Sequence, residues 1–252
     1  MSNLLTHEEY SAIANSLSFP TNAFINGQFQ SSKSGKTFET INPATGNVIA
    51  KVAACNADDV DHAVIKAREV FDQGHWSKLH PSERKKVLIK FSKLIQRNLN
   101  ELAVMESVDS GKPVRDCATI DLPETIDCLL WHAEAIDKIY DQTAPAGEDA
   151  LSVIVREPVG VVGCVLPWNF PLLMMAWKIA PALATGNSVI VKPAEQTSLT
   201  ALRLAELAID AGLPRGVLNV IPGMGPDVGE PIGLHADIDM VSFTGSTETG
   251  RR

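Results

Sequence analysis

Asn169, Lys178, the pair Lys192 and Glu195, and the turn at Gly245-Ser246 are the positions in this chain whose types and settings could do chemistry. Asn169 lies in Pro167-Trp168-Asn169-Phe170-Pro171, directly after an apolar run that ends at Leu166. Its amide can donate to a developing oxyanion. The same side chain can instead cap a helix opened by Pro171. Lys178 is the first charge after the uncharged stretch 159–177. At about 100° per residue, Phe170, Met174, Trp177 and Pro181 share one helix face with Lys178 at its edge. A lysine there either reaches solvent or sits beside a pocket that depresses its pKa. The Phe170, Met174, Trp177 stripe reads by default as core packing. Lys192-Pro193-Ala194-Glu195 closes a second apolar run. An acid at a strand end of a doubly wound sheet accepts hydrogen bonds from ribose hydroxyls, but it equally suits the first turn of a helix. Gly245 allows close backbone approach, and Ser246 or Thr247 can cap a helix whose free N–H groups attract phosphate. A plain capped turn explains those residues as well.

The elements that must carry these residues follow from the pattern. The stretch 159–177 is apolar enough to suggest a membrane span. Its composition argues for something else: Val159 to Leu166 is β-branched and glycine-containing like a buried strand, Pro167 to Pro171 breaks it, and Leu172 to Ala184 resumes as a helix. Strands are expected at 160–166, 188–192, 217–221 and 239–243. Helices are expected at 170–185, 197–211 and 226–234, with another opening at Ser246. This alternation predicts a Rossmann-like α/β fold, a parallel sheet with helices on both faces. Its ligand crevice lies at the carboxyl ends of the strands. Before it come an N-terminal arm (1–20), hairpin-like strands between Phe24 and Val52, and four helices. These start at Ala57 and Pro81-Ser82, run from Asn100 to Val108, and run from about Val114 to Ile139, where Pro123 kinks or splits the last. Residues 141–150 read as a loop and Leu151 to Val155 as a short strand. The division is 1–140 for the arm, strands and helices, 141–157 for a connecting arm, and 158–252 for the parallel βα sheet.

Of 252 residues, 45% are hydrophobic and 21% charged, an ordinary globular balance. The net charge of -8 offers no basic footprint for nucleic acid or anionic lipid. Cys55, Cys117, Cys128 and Cys164 show no metal-ligand spacing. The polar start lacks the cationic end and apolar core of a secretion signal. A cytoplasmic protein with reduced thiols and no metal is expected.

Together, these motifs resemble the aldehyde dehydrogenase superfamily from about Ala23 onward. The resemblance is carried by Pro167-Trp168-Asn169-Phe170-Pro171, Trp177-Lys178-Ile-Ala-Pro-Ala-Leu-Ala-Thr-Gly-Asn187, Val191-Lys192-Pro193-Ala194-Glu195, Ala211-Gly-Leu-Pro214 with Gly216 to Val220, and Phe243-Thr244-Gly245-Ser246-Thr247, in the family's order. Within the family the chain looks most like γ-glutamyl-γ-aminobutyraldehyde and betaine-aldehyde-type enzymes. The resemblance implies NAD-dependent oxidation of an aldehyde to a carboxylic acid through a cysteine thioester. It implies Asn169 as oxyanion donor and Lys178 as part of a proton relay. It places Leu166, Pro167, Trp168, Asn169, Lys192, Pro193, Glu195, Gly225, Phe243, Thr244, Gly245 and Ser246 around NAD. Glu195 would favour NAD over NADP by charge. Phe170, Met174 and Trp177 would line the aldehyde tunnel, and the enzyme would be a homo-oligomer with 141–157 as its oligomerisation arm. The family's glutamate base and cysteine nucleophile motifs are not in these residues, so an isolated chain is expected to be inactive and to lack the catalytic domain. A CoA-acylating relative and a non-catalytic nucleotide-binding or assembly module are the alternatives.

Overall fold

The computed structural model describes residues 4–251. In chain order its elements are α1 His7–Ser16, β1 Ala23–Ile25, β2 Gln28–Gln30, β3 Thr37–Ile41, β4 Val48–Ala53, α2 Ala57–Gln73, α3 Pro81–Arg97, α4 Leu99–Ser110, α5 Val114–Asp116 and α6 Leu122–Ala135. Then come β5 Gln142–Ala144, β6 Ser152–Ile154, β7 Val161–Val165, α7 Pro171–Ala184, β8 Ser188–Lys192, α8 Leu199–Ala211, β9 Leu218–Val220, α9 Glu230–Leu234, β10 Met240–Phe243 and α10 Thr247–Gly250.

The main sheet has the order β10-β7-β8-β9-β1-β2. β10, β7, β8 and β9 run parallel, whereas β1 and β2 add an antiparallel edge. The alternation of strand and helix after residue 158 is therefore as expected. Side chains alternate between two cores. Val162 and Cys164 on β7, with Val189 and Val191 on β8, face the larger core built with α3, α4, α6, α7 and α8. Val161 and Ile190 face a smaller one with Val60, Ala63, Val64 and Ala67 of α2. Gly163 points to that smaller side, where a Cβ would come within 2.5 Å of Ile232 Cγ2. No larger residue fits there without moving the β7–α9 contact.

The chain departs from the expected elements in three places. The arm contains a helix, α1, whose start is fixed by a capping box between Thr6 and Glu9; its residues 1–3 lie outside the described residues. The helix expected from Val114 to Ile139 is interrupted near Pro123, as its proline suggests. A π-turn at Cys117–Asp121 precedes α6, and Pro123 lies in the first turn of α6, where its missing N–H costs nothing. Residues 141–150 are not all loop, since β5 pairs with β6. The helix expected at 226–234 begins as a π-turn, Gly225–Gly229, and becomes α9 only at Glu230. Among the described residues no helix is long and apolar enough to cross a membrane, so the stretch 159–177 is strand, turn and helix start.

Candidate functional site

Three segments leave the sheet along one edge. Val165 at the end of β7 pairs with Lys192 of β8 on one side and with Phe243 of β10 on the other. Leu166 N donates to Lys192 O at 3.0 Å, and Thr244 N donates to Val165 O at 3.1 Å. Leu166–Phe170, Pro193–Glu195 and Thr244–Ser246 therefore emerge side by side. The chain runs from β7 outward to β8 and β9, then returns to place β10 on the opposite side. That reversal is the switch point where open α/β sheets form their ligand crevice.

Lys192 is 3% exposed, and its Nζ lies 3.0 Å from Glu195 Oε2. Burial pushes the Glu195 carboxyl up. The Lys192 charge, with hydrogen bonds from its own backbone N–H, Lys192 and Gln196, outweighs this and holds it below the usual carboxylate range. The Glu195 side chain is one-third exposed, so an ionised acceptor faces the opening. Glu195, Trp168 and Met224 line a cleft of about 450 Å³ with Phe38, Thr40 and Asp109. Lys178, Gly225, Phe243 and Gly245 do not line that cleft.

Asn169 is exposed, and among the described residues its side chain has no hydrogen-bond partner. The expected alternative, that Asn169 caps α7, is not what the chain does. The N-cap position is Phe170, and no local side chain caps the helix. Leu172 N instead donates to Glu106 Oε1 at 3.1 Å. Lys178 does not simply run to solvent. Its Nζ lies 3.0 Å from Ser242 Oγ on β10, and desolvation lowers its pKa. Phe170 and Met174 are half-buried, but Trp177 is 57% exposed, so the stripe is not closed core. Ser246 caps α10 by accepting from Thr249 N. The close approach at Gly245 is to a ring: a Cβ there would lie 2.5 Å from Phe243 Cζ. With only four residues, α10 makes no phosphate site by itself.

Sequence reasoning missed a set of buried charges behind this edge. Glu106, Asp109 and Asp121 are at most 1% exposed. Asp109 accepts from Leu199 N at 3.0 Å and from Thr40 Oγ1 at 2.9 Å. Lys112 pairs with Asp121, and its Nζ lies 3.7 Å from the centroid of the Phe170 ring. No local pattern in α4 reveals partners 66 and 90 residues away.

The cysteines offer no activated thiol. Burial pushes Cys164 and Cys117 up to about 12, and it raises Cys55 and Cys128 as well. Cys128 Sγ lies 3.7 Å from His132 Nδ1. That nitrogen is also 2.9 Å from the Cys128 carbonyl, to which it donates, so it cannot take the thiol proton. Among the described residues no group of His, Cys, Asp and Glu could hold a metal ion.

The family model described as the aldehyde dehydrogenase family matches residues 29–252. The chain belongs to the aldehyde dehydrogenase family. It is 62% identical, over all of its length, to an aminoacetaldehyde dehydrogenase of Pseudomonas aeruginosa, of which it covers 51%. It is 47% identical over 94% of its length to the NADP/NAD-dependent aldehyde dehydrogenase PuuC of Escherichia coli, of which it covers 48%. An indole-3-acetaldehyde dehydrogenase solved in complex with NAD+ superposes with a TM-score of 0.97 at 48% identity, over 98% of this chain and 50% of that one. The chain thus spans about half the length of the aldehyde dehydrogenases it matches, and corresponds to their N-terminal portion. In this aldehyde dehydrogenase chain, three of the motifs carrying the resemblance, Pro167–Pro171, Val191–Glu195 and Phe243–Thr247, leave neighbouring strands at the switch point of the sheet, whereas Ala211–Val220 leads into the opposite end of β9.

Proposed function

We propose that this chain supplies the NAD site and an oxyanion donor of an enzyme that oxidises an aldehyde to a carboxylic acid. The observation that carries the reading is the register Lys192–Val165–Phe243, which brings Trp168, Asn169, Glu195 and Ser246 to one edge. The donor set suits the cofactor. Glu195, held ionised beside Lys192, accepts from ribose hydroxyls and repels a 2′-phosphate. Leu166, Pro167, Trp168 and Pro193 form the floor beside it, and Gly225, Phe243, Thr244, Gly245 and Ser246 the remaining rim. NAD, when bound, supplies the hydride acceptor.

The chain's own residues hold and polarise the aldehyde. Asn169 presents an uncommitted amide to the carbonyl oxygen as charge develops on it. Lys178, with lowered proton affinity and a hydroxyl partner in Ser242, passes a proton near the site. Phe170, Met174 and Trp177 form one wall of the aldehyde channel. The four thiols here are buried or unactivated, so the thioester-forming cysteine lies outside these residues. Residues 1–140 and 158–252 form the cofactor domain, and 141–157 is an arm through which a cytoplasmic homo-oligomer assembles.

Absorbance of NADH at 340 nm tests the reading. The full-length protein is expected to reduce NAD with an aldehyde, and Asn169→Ala to lower kcat by roughly 100-fold. Residues 1–252 alone are expected to give no NADH above a blank. Turnover by the isolated chain that survives Cys164→Ala would overturn this placement of the nucleophile.

A further inference from the structure

The start of α7 carries Asn169 and Phe170 into the site, yet nothing local holds it. Phe170 occupies the N-cap position with no side-chain acceptor, and Pro171 has no N–H. The first free donor, Leu172 N, is taken by Glu106 Oε1 at 3.1 Å. Glu106 is fully buried on α4, and its Oε2 accepts from Thr200 Oγ1 of α8 at 2.7 Å. One carboxylate thus joins α4, α7 and α8. The Lys112 ammonium, 3.7 Å from the Phe170 ring centroid, secures the same turn from α4's C-terminal side.

This arrangement has a consequence for Asn169. Asparagine is among the best N-cap residues, and it stands one residue before the cap position. Left without another acceptor, the Leu172 and Leu173 amides would draw the Asn169 side chain toward them. With Glu106 occupying Leu172 N, the Asn169 amide stays free and exposed. We propose that Glu106 is a positioning residue for Asn169: by capping α7 from α4 it keeps the Asn169 amide available to the aldehyde oxygen. This role rests on the aldehyde-oxidation reading above.

The test uses the full-length protein with Glu106→Ala, Glu106→Gln and Asn169→Ala. Glu106→Ala is expected to lower kcat by about 10- to 100-fold, as loss of an aligned oxyanion donor does, with aldehyde KM and NAD Kd within about threefold. Glu106→Gln keeps a carbonyl for Leu172 N and is expected to recover most of kcat. Adding Asn169→Ala to Glu106→Ala is expected to cost little more, because both act on one donor. Amide hydrogen exchange is read alongside. It is expected to speed up at 170–174 and to stay unchanged at Leu199, which Asp109 holds. If Glu106→Ala does not fold, Thr200→Val, which frees Oε2 alone, should show the same pattern at smaller amplitude. A kcat within twofold of wild type, a full further loss on adding Asn169→Ala, or unchanged exchange at 170–174 would overturn the proposal. Absence of any aldehyde oxidation in the wild type would instead remove the functional reading, and the exchange data would still decide whether Glu106 holds the turn.

Discussion

Lys178 Nζ lies 3.0 Å from Ser242 Oγ, a bond that reaches from α7, the helix that follows Asn169, to the outer strand of the sheet, β10. It accounts for a lone lysine in an apolar helix: the partly buried amine finds a neutral partner on β10. A hydroxyl satisfies the amine without fixing its charge, which burial already disfavours.

Removing the amine should therefore affect turnover more than binding. Lys178→Met in the full-length protein is expected to lower kcat by about 10- to 100-fold with little change in aldehyde KM. Ser242→Ala should cost about threefold, since water can replace the hydroxyl. Steady-state kinetics decide it, and an unchanged kcat in Lys178→Met would contradict a proton-carrying role.

Stability should fall as the pH rises from about 4.5 to about 7. Burial is the main cause that raises Glu106 to about 7 and Asp109 to about 6, and Asp121 adds to the rise at Glu106. Hydrogen bonds from Thr200, Leu172, Leu199 and Thr40 oppose the shift without cancelling it. A carboxyl that keeps its proton longer when folded than when unfolded favours folding at low pH. That advantage is complete below the unfolded pKa and lost as the pH climbs through the folded one. For one such group the slope is at most about 1.4 kcal/mol per pH unit. Urea titrations at pH 5 and pH 8 should show Glu106→Gln losing less stability across that span than wild type. Equal losses would contradict an ionising carboxylate in the core.

Self-association should depend on the β5–β6 hairpin. Two strands alone are marginal, and Leu151, Val153, Ile154 and Val155 are each at least half exposed. Sedimentation of the full-length protein is expected to show oligomers that Val153→Asp with Ile154→Asp shifts toward monomers. A double variant that sediments like wild type would place the contact elsewhere.

The strands were legible because buried parallel strands are short apolar runs between turn signals. Ser188–Lys192 has the expected bounds, and Val161–Val165 lies within its expected run. The shared edge is legible for the same reason: Asn169, Glu195 and Ser246 each follow such a run, and the strand register sets the three segments side by side. The buried carboxylates were not. Glu106 and Asp109 lie in a helix that touches neighbours on nearly every side, and their partners belong to α7, α8 and β3, all far away along the chain. The close approach at Gly245 was anticipated but not its object, because a ring two residues earlier folding onto a glycine leaves no mark in the sequence. β5 escaped because it pairs with β6 in a two-stranded sheet apart from the apolar one.

Isothermal calorimetry of NAD and NADP with the full-length protein tests the central claim, that Glu195 beside Lys192 marks the ribose site. NAD is expected to bind at least about tenfold tighter than NADP, a difference of about 1.4 kcal/mol. Glu195→Gln should narrow that gap by relieving repulsion of the 2′-phosphate. NADP binding as tight as NAD in the wild type, or a gap unmoved by Glu195→Gln, would contradict the assignment of this edge.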